Sequence, residues 1–562
     1  MSKIPILLVA SVLMLLSEVH AQYGSVDLFY AYITNAAATA GYDTSLLPST
    51  PSETYKESVD AYFWGFPLQT TYRSEISFLN GNGLSTNSLY APGVIDSGTT
   101  VEAPDTSVLY TSGFADLSGS NAFVLKVPNT TATETYNIME IANAYSATTY
   151  SVGTRNFTNS SYNNSGGNYL LVGPGYNTSA LLPSGVTGYI QSPTAQAWLI
   201  GRMTVDQYAT ATTSNGPTPY SLIAGGSSSP LSLSNSVPLS QSYSLTSLAD
   251  YLAGSNTPVI TSSTPTPEQL AIASNNASTA IGQTFYQYVG NSVAQNGVPA
   301  SSSNNQLAMY QNFANIGLTT NGYTAPTNPV ILSEMNLAAS NAAGMLATMG
   351  GNTAALGSGP TTTGWTVNTT IGQYSANYSG WVTAAVTDYI GTLANLAVDG
   401  TYPQTTLDSK SNALCGTNSY TISFPAGQLP PVQGFWSITV YNTNGYVVPN
   451  AGSTYYGSNV YSLGSMQMTN VLGTNMSTTP ITLYLQSQAP TNTALLPYWL
   501  PVPTQDFELI LRMYYPDSNN PSILDGTYMI PAVVEAVPEP STYALFELGA
   551  MTLVIAARRR FS

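Results

Sequence analysis

The chain has very little charge. Asp, Glu, Lys and Arg make up 7% of its 562 residues, against roughly 25% in an ordinary soluble domain. A membrane protein is not indicated, because the mean hydropathy is +0.03 and no interior run approaches the ~18 apolar residues of a bilayer span. Disordered chains are poor in aromatics, whereas this one has 40 Tyr, 14 Phe and 6 Trp. The composition predicts a folded protein with a neutral surface of Ser, Thr, Asn, Gly and Tyr.

Histidine and cysteine are almost missing as well, with one residue of each. His20 lies in a segment that we expect to be removed, which excludes Ser-His-Asp and Cys-His nucleophiles and His-ligated metal centres. Cys415 has no intramolecular disulfide partner, and we expect it to be a buried thiol and not a reactive one. No Gly-rich nucleotide loop or EF-hand spacing is present. We therefore expect no metal and no cofactor.

The first 21 residues have the pattern of a secretory signal peptide. Lys3 precedes an apolar run from residue 4 to 16, and Val19-His20-Ala21 offers a small-x-small cleavage site before Gln22. The run is too short to span a membrane. The pattern predicts export and cleavage by signal peptidase; a buried N-terminal strand is the alternative.

The chain ends in a second targeting pattern, in which a Pro-Glu-Pro triplet, an apolar stretch at 541–557 and an arginine cluster follow one another. Such a stretch with a basic end stops translocation. The order closely resembles the PEP-CTERM sorting signal, although Glu547 departs from that pattern. The resemblance implies processing by an exosortase, a transient membrane anchor, and transfer to the cell surface or extracellular matrix of a Gram-negative bacterium. An ordinary C-terminal anchor is the alternative. The signal residues are Pro538, Glu539, Pro540, Arg558, Arg559 and Arg560.

Nucleic-acid binding is excluded by the scarcity of cations. Without Lys3 and the three terminal arginines, seven Lys and Arg remain against 24 Asp and Glu, so the processed chain carries a net charge of about −17. Binding to phosphates requires clustered cations. Seven scattered cations cannot form such a patch.

Helix and strand signals alternate along the chain between these two segments. Thr50-Pro51-Ser52-Glu53 is a capping box with Thr50 as N-cap, followed by one apolar helical face. Asn328-Pro329 starts another helix, and a further capping box begins at Thr266. The face after the first box consists of Tyr55, Val59, Tyr62, Phe63 and Phe66.

Strand-length runs such as 122–127 and 169–172, broken by Gly, Pro and Asn, predict a β-sandwich. Near the other end, alternation puts Phe507, Leu509, Leu511 and Met513 on one face of a strand, with Glu508 and Arg512 on a solvated face. The predicted order is a helical segment at 22–85, a sandwich at 86–205, a helical region with Ser/Asn/Gly-rich linkers at 206–400 and a β domain at 401–537.

Two stretches of the chain resemble known domain families. Phe424 to Ser437, Trp499-Leu500-Pro501 and the run 507–516 are similar to the domain of unknown function 1214. Upstream, the run 104–118 and Trp198 to Arg202 are similar to its usual partner, the domain of unknown function 1254. The resemblance implies an immunoglobulin-like β-sandwich, a helical middle region and a jelly-roll-like C-terminal β-sandwich. It implies no established reaction.

Three kinds of residue are candidates for a site. Asp105, Asp116 and Asp525 could act as paired carboxylates, although an Asp near Gly or Pro is more often a turn residue. Arg202 and Arg512 lie in apolar surroundings and could bind a ligand, although an ion pair with a carboxylate is the commoner role. The aromatic candidates for ligand binding are Tyr110, Trp436 and Trp499.

These features support two hypotheses about function. The first is an exported surface or matrix protein that interacts with extracellular polysaccharide, because Tyr and Trp faces with amide donors suit uncharged sugar rings. The second is a carboxylate-dependent hydrolase or lyase that acts on a carbohydrate or a small hydrophobic substrate. A purely structural role is also open.

Overall fold

The molecule is described by a computed structural model, which covers thirteen segments of the chain. The two targeting segments and the capping box predicted at Thr266 lie outside the described residues. The described residues are 24–82, 85–93, 103–128, 136–155, 166–204, 240–255, 282–299, 305–352, 361–391, 393–448, 462–472, 476–519 and 521–536. No helix in these segments is long and apolar enough to cross a membrane.

Helices that precede the N-terminal sheets in the sequence and helices that follow them pack together into a single helical body. Its core contains Phe29, Phe63, Phe285, Met345 and Val382, all fully buried. The α-helices are α1 Val26–Ala40, α2 Glu53–Asn82, α3 Leu248–Leu252, α4 Gln283–Asn296, α5 Asn305–Gln311, α6 Pro329–Gly351, α7 Tyr378–Ile390 and α8 Ser465–Leu472. Short 3-10 turns lie at Thr44–Leu46, Asn312–Ile316 and Thr493–Tyr498.

The predicted face of α2 is confirmed, since all five of its aromatic and apolar residues lie in this core. The predicted cap is wrong by two residues. Ser52, and not Thr50, caps the helix: its Oγ accepts a hydrogen bond from the amide of Tyr55 at 3.1 Å, and its carbonyl accepts one from Lys56. The start at Asn328 is confirmed, because its side chain accepts a hydrogen bond from the Val330 amide.

Four larger sheets and one short ribbon make up the β structure of the described segments. The strands are β1 Ser88–Gly93, β2 Val108–Asp116, β3 Ala122–Val127, β4 Asn137–Asn143, β5 Thr148–Gly153, β6 Gly167–Val172, β7 Gly188–Gln191, β8 Gln196–Thr204, β9 Ser244–Ser247, β10 Leu318–Thr319, β11 Gly322–Tyr323, β12 Gly400–Thr401, β13 Gln404–Thr405, β14 Tyr420–Phe424, β15 Trp436–Asn442, β16 Ser462–Gly464, β17 Ile481–Gln486, β18 Trp499–Pro501, β19 Phe507–Tyr514 and β20 Val534–Glu535.

In the N-terminal half, sheet 1 has the order β1-β2-β8-β4-β5 and sheet 2 the order β7-β6-β3-β9. Their inner faces share one core, to which sheet 1 contributes Met139 and Leu199 and sheet 2 contributes Leu125 and Leu171. Strand β9 contradicts the prediction that residues 206–400 form a helical region. Its Leu245 pairs with Leu125 of β3 and completes sheet 2.

In the C-terminal half, sheet 3 has the order β12-β19-β15-β16, with β13 also paired to β19, and sheet 4 has the order β18-β17-β14-β20. The alternation predicted for β19 is confirmed on its inner face, which is part of the core between the two sheets. The prediction of a solvated outer face is wrong for Arg512, which is 3% exposed. Sheet 1 covers this face: Phe435 and Tyr514 meet Val108 and Tyr136 in one buried cluster.

The chain is thus a mixed α and β protein of several domains, as predicted. One sheet pair forms the N-terminal half, a second forms the C-terminal half, and the helical body lies beside them. Two junctions follow from this arrangement. The outer faces of sheets 1 and 3 meet in what we call the intersheet layer, and a pocket lies where the helical body meets the turn after β4.

Candidate functional site

The intersheet layer contains three buried arginines. Arg202 lies on β8, beside Tyr110 of the neighbouring strand β2. Arg512 lies on β19 of the opposite sheet. Arg155 follows β5. Strand alternation explains the placement of the two predicted arginines, because each occupies an outward position between residues that point into its own core.

Arg202 pairs with Glu140 on β4, and both side chains are buried. Its Nη2 also donates a hydrogen bond to the Leu393 carbonyl at 3.2 Å, and its guanidinium carbon lies 5.7 Å from the centroid of the Tyr110 ring. Burial raises the pKa of Glu140 to about 7, against the opposing charge of Arg202. Loss of either partner would leave a buried charge without its counter-charge.

Arg512 faces Asp105 with an Nε to Oδ2 distance of 3.9 Å. Its Nη2 donates to the Ala103 carbonyl at 2.8 Å, and its guanidinium carbon lies 5.4 Å from the Tyr441 ring centroid. Asp105 Oδ1 accepts a hydrogen bond from the Ser107 amide at 2.7 Å. The aspartate therefore combines a turn role with an ion pair.

The third pair joins Arg155 to Asp399, which is fully buried. Asp399 Oδ2 accepts hydrogen bonds from Arg155 Nη2 at 3.1 Å and from Ser151 Oγ at 2.7 Å. Its carbonyl accepts one from the Tyr136 hydroxyl at 3.0 Å. Asp399 belongs to the segment that leads into sheet 3, so this network fixes the C-terminal half against the N-terminal half.

Each of the three guanidiniums in the intersheet layer has a carboxylate partner. Such pairs fix the relative position of packed elements more than they add stability, because desolvation offsets much of their attraction. Groups that are paired in this way do not form a mobile acid and base pair that faces a substrate. Two of the pairs, Arg155–Asp399 and Arg512–Asp105, join the N-terminal half to the C-terminal half, whereas Arg202 and Glu140 lie on neighbouring strands of sheet 1.

The sequence-predicted candidates divide into two groups. The structure brings Asp105, Tyr110, Arg202 and Arg512 together in the intersheet layer; the Tyr110 hydroxyl accepts a hydrogen bond from the Asp105 amide at 3.0 Å. The other four lie elsewhere.

Asp116 ends β2, where its side chain accepts a hydrogen bond from the Ser118 amide. Asp525 is exposed and accepts hydrogen bonds from the amide and hydroxyl of Thr527. Trp436 and Trp499 are buried in the C-terminal half, at 2% and 3% exposure. The sorting-signal residues 538–540 and 558–560 lie outside the described residues.

Sequence reasoning missed Glu140, Arg155 and Asp399. Arg155 and Asp399 are 244 residues apart, and no local pattern connects residues at such a distance. Glu140 carried a usable signal, since an acid in the middle of an apolar strand needs a buried partner.

The pocket has a volume of about 180 Å³. One wall comes from the β4–β5 turn, which we define as residues 144–147, together with Asn143 at the end of β4. The others come from α2, α5, α7 and the segments before α5 and α7. The lining residues are Trp64, Pro67, Asn143, Tyr145, Ala147, Pro299, Gln306, Tyr374, Ala376, Trp381 and Ala384.

Aromatic rings and amides line this pocket, and none of its lining residues is charged. Trp64 donates from Nε1 to Gln306 Oε1 at 2.7 Å, and its ring meets that of Tyr145 edge to face at 5.5 Å between centroids. Trp381 is 4% exposed, and its Nε1 has no hydrogen-bond partner in the described part of the chain. A buried donor without a partner is unusual.

The described segments contain no group of three or more His, Cys, Asp or Glu residues that could hold a metal ion. Cys415 is partly exposed, and its Sγ lies 3.8 Å from the Thr504 carbonyl oxygen. The expectation that it would be buried is therefore only partly met.

Two family models match the chain, in the order that the sequence motifs predict. Residues 86–217 match "Protein of unknown function (DUF1254)", and residues 399–518 match "Protein of unknown function (DUF1214)". The first match begins with sheet 1, and the second begins at Asp399 in the intersheet layer. A search of curated proteins found no match.

A solved structure shows the same fold. The VPA0106 protein from Vibrio parahaemolyticus is 17% identical, with a TM-score of 0.56 over 86% of this chain and 100% of its own. An uncharacterized protein from Burkholderia cenocepacia is 9% identical, with a TM-score of 0.37 over 90% of this chain and 95% of its own. The first likeness supports a common fold and nothing about activity.

Proposed function

We propose that the protein is exported to the cell surface or extracellular matrix of a Gram-negative bacterium and binds a neutral sugar ring of an exopolysaccharide in its pocket. The observation that carries this proposal is the pocket lining, where aromatic rings and amide groups meet without a charged side chain. Sugars present apolar ring faces and hydroxyls, which aromatic rings and amides can match.

The size of the pocket limits what can enter. At about 180 Å³ it is smaller than the roughly 300–1,000 Å³ of sites for drug-sized ligands. One sugar ring, at a chain end or a branch, is therefore the unit that we expect it to hold. The unpartnered Trp381 Nε1 would donate to a hydroxyl or the ring oxygen.

Export and processing form the second half of the proposal. It rests on the signal-peptide pattern at 1–21 and the Pro-Glu-Pro, apolar and arginine pattern at 538–562. Signal peptidase and an exosortase would be the processing partners. Mass spectrometry of the protein released from the host would test this half, because intact Arg558–Arg560 at the surface would contradict it.

We infer an immunoglobulin-like arrangement for sheets 1 and 2 and a jelly-roll-like arrangement for sheets 3 and 4, with support from the face-to-face cores of the two pairs. The alternative function, a carboxylate-dependent hydrolase or lyase, has less support, because the pocket lining includes no acid.

The binding test compares two Trp to Phe substitutions. Trp381→Phe keeps an aromatic ring and removes the free indole N–H, so we expect the affinity for the matching sugar to fall about 2- to 10-fold, as for one hydrogen bond. Trp499→Phe also removes an indole donor, which binds the Gln486 carbonyl, but it lies in sheet 4, outside the pocket. This control should bind like the natural protein.

Binding is measured by tryptophan fluorescence with D-glucose, D-galactose, D-mannose, N-acetyl-D-glucosamine and the host's own exopolysaccharide. Absence of binding to all five would end the proposal. An unchanged affinity in Trp381→Phe would remove this pocket as the site.

A further inference from the structure

The β4–β5 turn has a backbone conformation that needs support. Ser146 has φ of 57°, in the left-handed region that costs a non-glycine residue roughly 1–2 kcal/mol. It is fully buried. The residues on either side, Tyr145 and Ala147, both line the pocket, so the conformation of Ser146 decides where this wall of the pocket stands.

Local hydrogen bonds supply part of that support. Asn143 Oδ1 accepts from the amides of Tyr145 at 2.9 Å and Ala147 at 3.2 Å, and the Asn143 carbonyl accepts from the Ser146 amide at 3.0 Å. These bonds close the turn on itself. They do not place it against the helical body.

The Tyr145 hydroxyl contacts the helical body by donating to the Gly297 carbonyl at 2.9 Å, and a second contact comes from helix α7. Ser146 Oγ donates to Asp388 Oδ1 at 2.6 Å, and the Asp388 side chain is 5% exposed. Asp388 follows Trp381 by seven positions and Ala384 by four, which puts all three on one helical face. The face that lines the pocket therefore also carries the residue that binds the turn.

The protonation state of Asp388 suits this contact. Burial raises its pKa to about 8, although the Ser146 hydroxyl and the Leu393 amide favour the charged form. At pH 7 the carboxyl is mostly neutral, so it costs less to bury than a carboxylate. Asparagine has the same shape and also accepts a hydrogen bond, which makes Asp388→Asn a close mimic.

We propose that Asp388 is a positioning residue for the pocket: its hydrogen bond to Ser146 joins α7 to the β4–β5 turn and holds the two walls at a fixed separation. Asp388 does not itself line the pocket, and it acts through Ser146. The binding consequence rests on the proposed function, whereas the structural consequence does not.

The structural consequence is tested by hydrogen exchange without ligand. In Asp388→Ala we expect the amides of Ser146 and Ala147 to exchange at least 10-fold faster than in the natural protein, while Asp388→Asn stays within 2-fold. Asp250→Ala is the matched control, because it removes another Ser–Asp hydrogen bond, that of Ser247 to Asp250, outside the pocket. It should leave both amides unchanged.

Ser146→Ala tests the same bond from the other side, and it leaves α7 intact if Asp388→Ala does not fold. We expect the same acceleration for it. Ser146→Gly removes the hydroxyl but relieves the strain of φ 57°, so its acceleration should be smaller than that of Ser146→Ala.

Sugar binding is then measured on the same variants. We expect at least a 5-fold loss of affinity in Asp388→Ala and recovery in Asp388→Asn. Unchanged exchange in both Asp388→Ala and Ser146→Ala would overturn the positioning role, as would an Asn variant that exchanges as fast as the Ala variant. If the natural protein binds no sugar, the proposed function fails, and the exchange result still decides the positioning role.

Discussion

The two junctions of the molecule differ sharply in chemistry. The intersheet layer contains three buried Arg–carboxylate pairs, whereas the pocket at the helical body has no charged lining residue. A chain with so few cations thus commits three arginines to its interior. The two junctions therefore differ in what joins them: the Arg155–Asp399 and Arg512–Asp105 pairs connect the N-terminal half to the C-terminal half, whereas neutral aromatic and amide groups line the pocket.

The largest expected effect comes from breaking the intersheet layer. Glu140→Ala leaves the buried Arg202 without its counter-charge, and we expect the free energy of unfolding to fall by about 3–5 kcal/mol. Urea unfolding measures the change. The double variant Glu140→Leu with Arg202→Met should recover most of the loss, because an apolar pair removes both charges. An equally unstable double variant would show that packing, and not charge, accounts for the effect.

A smaller effect is expected from the pH dependence of Asp388. Its folded-state pKa of about 8 lies above the unfolded value of about 3.9, so between these values the folded state binds more protons and stability falls as pH rises. From pH 5 to pH 7 this group contributes a loss of about 2–3 kcal/mol, because its contribution falls by nearly the limit of about 1.4 kcal/mol per pH unit. Stability is highest below about pH 4 for this group and levels off above pH 8.

Asp388→Asn removes that dependence without changing the shape of the side chain. Urea unfolding at pH 5, 7 and 8.5 should therefore give a flatter profile for the variant, and its gain over the natural protein should grow with pH. The comparison cancels the repulsion among the other acids, which both proteins share. Parallel profiles would contradict a raised pKa at this position.

The smallest effect is expected at the surface. Lys410 Nζ lies 3.4 Å from Glu535 Oε2, with side chains 64% and 33% exposed. Exposed pairs contribute about 0–1 kcal/mol, so Lys410→Ala should change the free energy of unfolding by less than about 0.5 kcal/mol. A loss near that of Glu140→Ala would erase the distinction between buried and exposed charge.

Local patterns predicted those parts of the fold that depend on local periodicity. The apolar face of α2 and the alternation in β19 follow from burial on one side of a helix or strand. The outer face of β19 could not be assigned in the same way, because alternation does not show whether that face contacts water or a second sheet. Arg512 was therefore placed on a solvated face that sheet 1 covers.

The candidate sites show the same limit. Arg202 and Arg512 stood out because arginines in apolar runs are rare, and both lie in the intersheet layer. The pocket was beyond prediction, since Trp64, Tyr145 and Trp381 come from three segments spread over more than half of the chain. In the sequence, no local pattern distinguishes these three residues from the other Tyr and Trp residues of the chain.

The helical body has a consequence for the order in which the protein folds. Helices α1 and α2 precede both N-terminal sheets, while the helices that cover them, α4, α6 and α7, come after. During synthesis the aromatic face of α2 stays without its partners until residue 390 has emerged. Contacts of such long sequence separation slow folding and expose apolar surface meanwhile. Helices α1 and α2 are therefore among the last to have their apolar faces covered. We expect aggregation to begin in nascent chains that stop before α7.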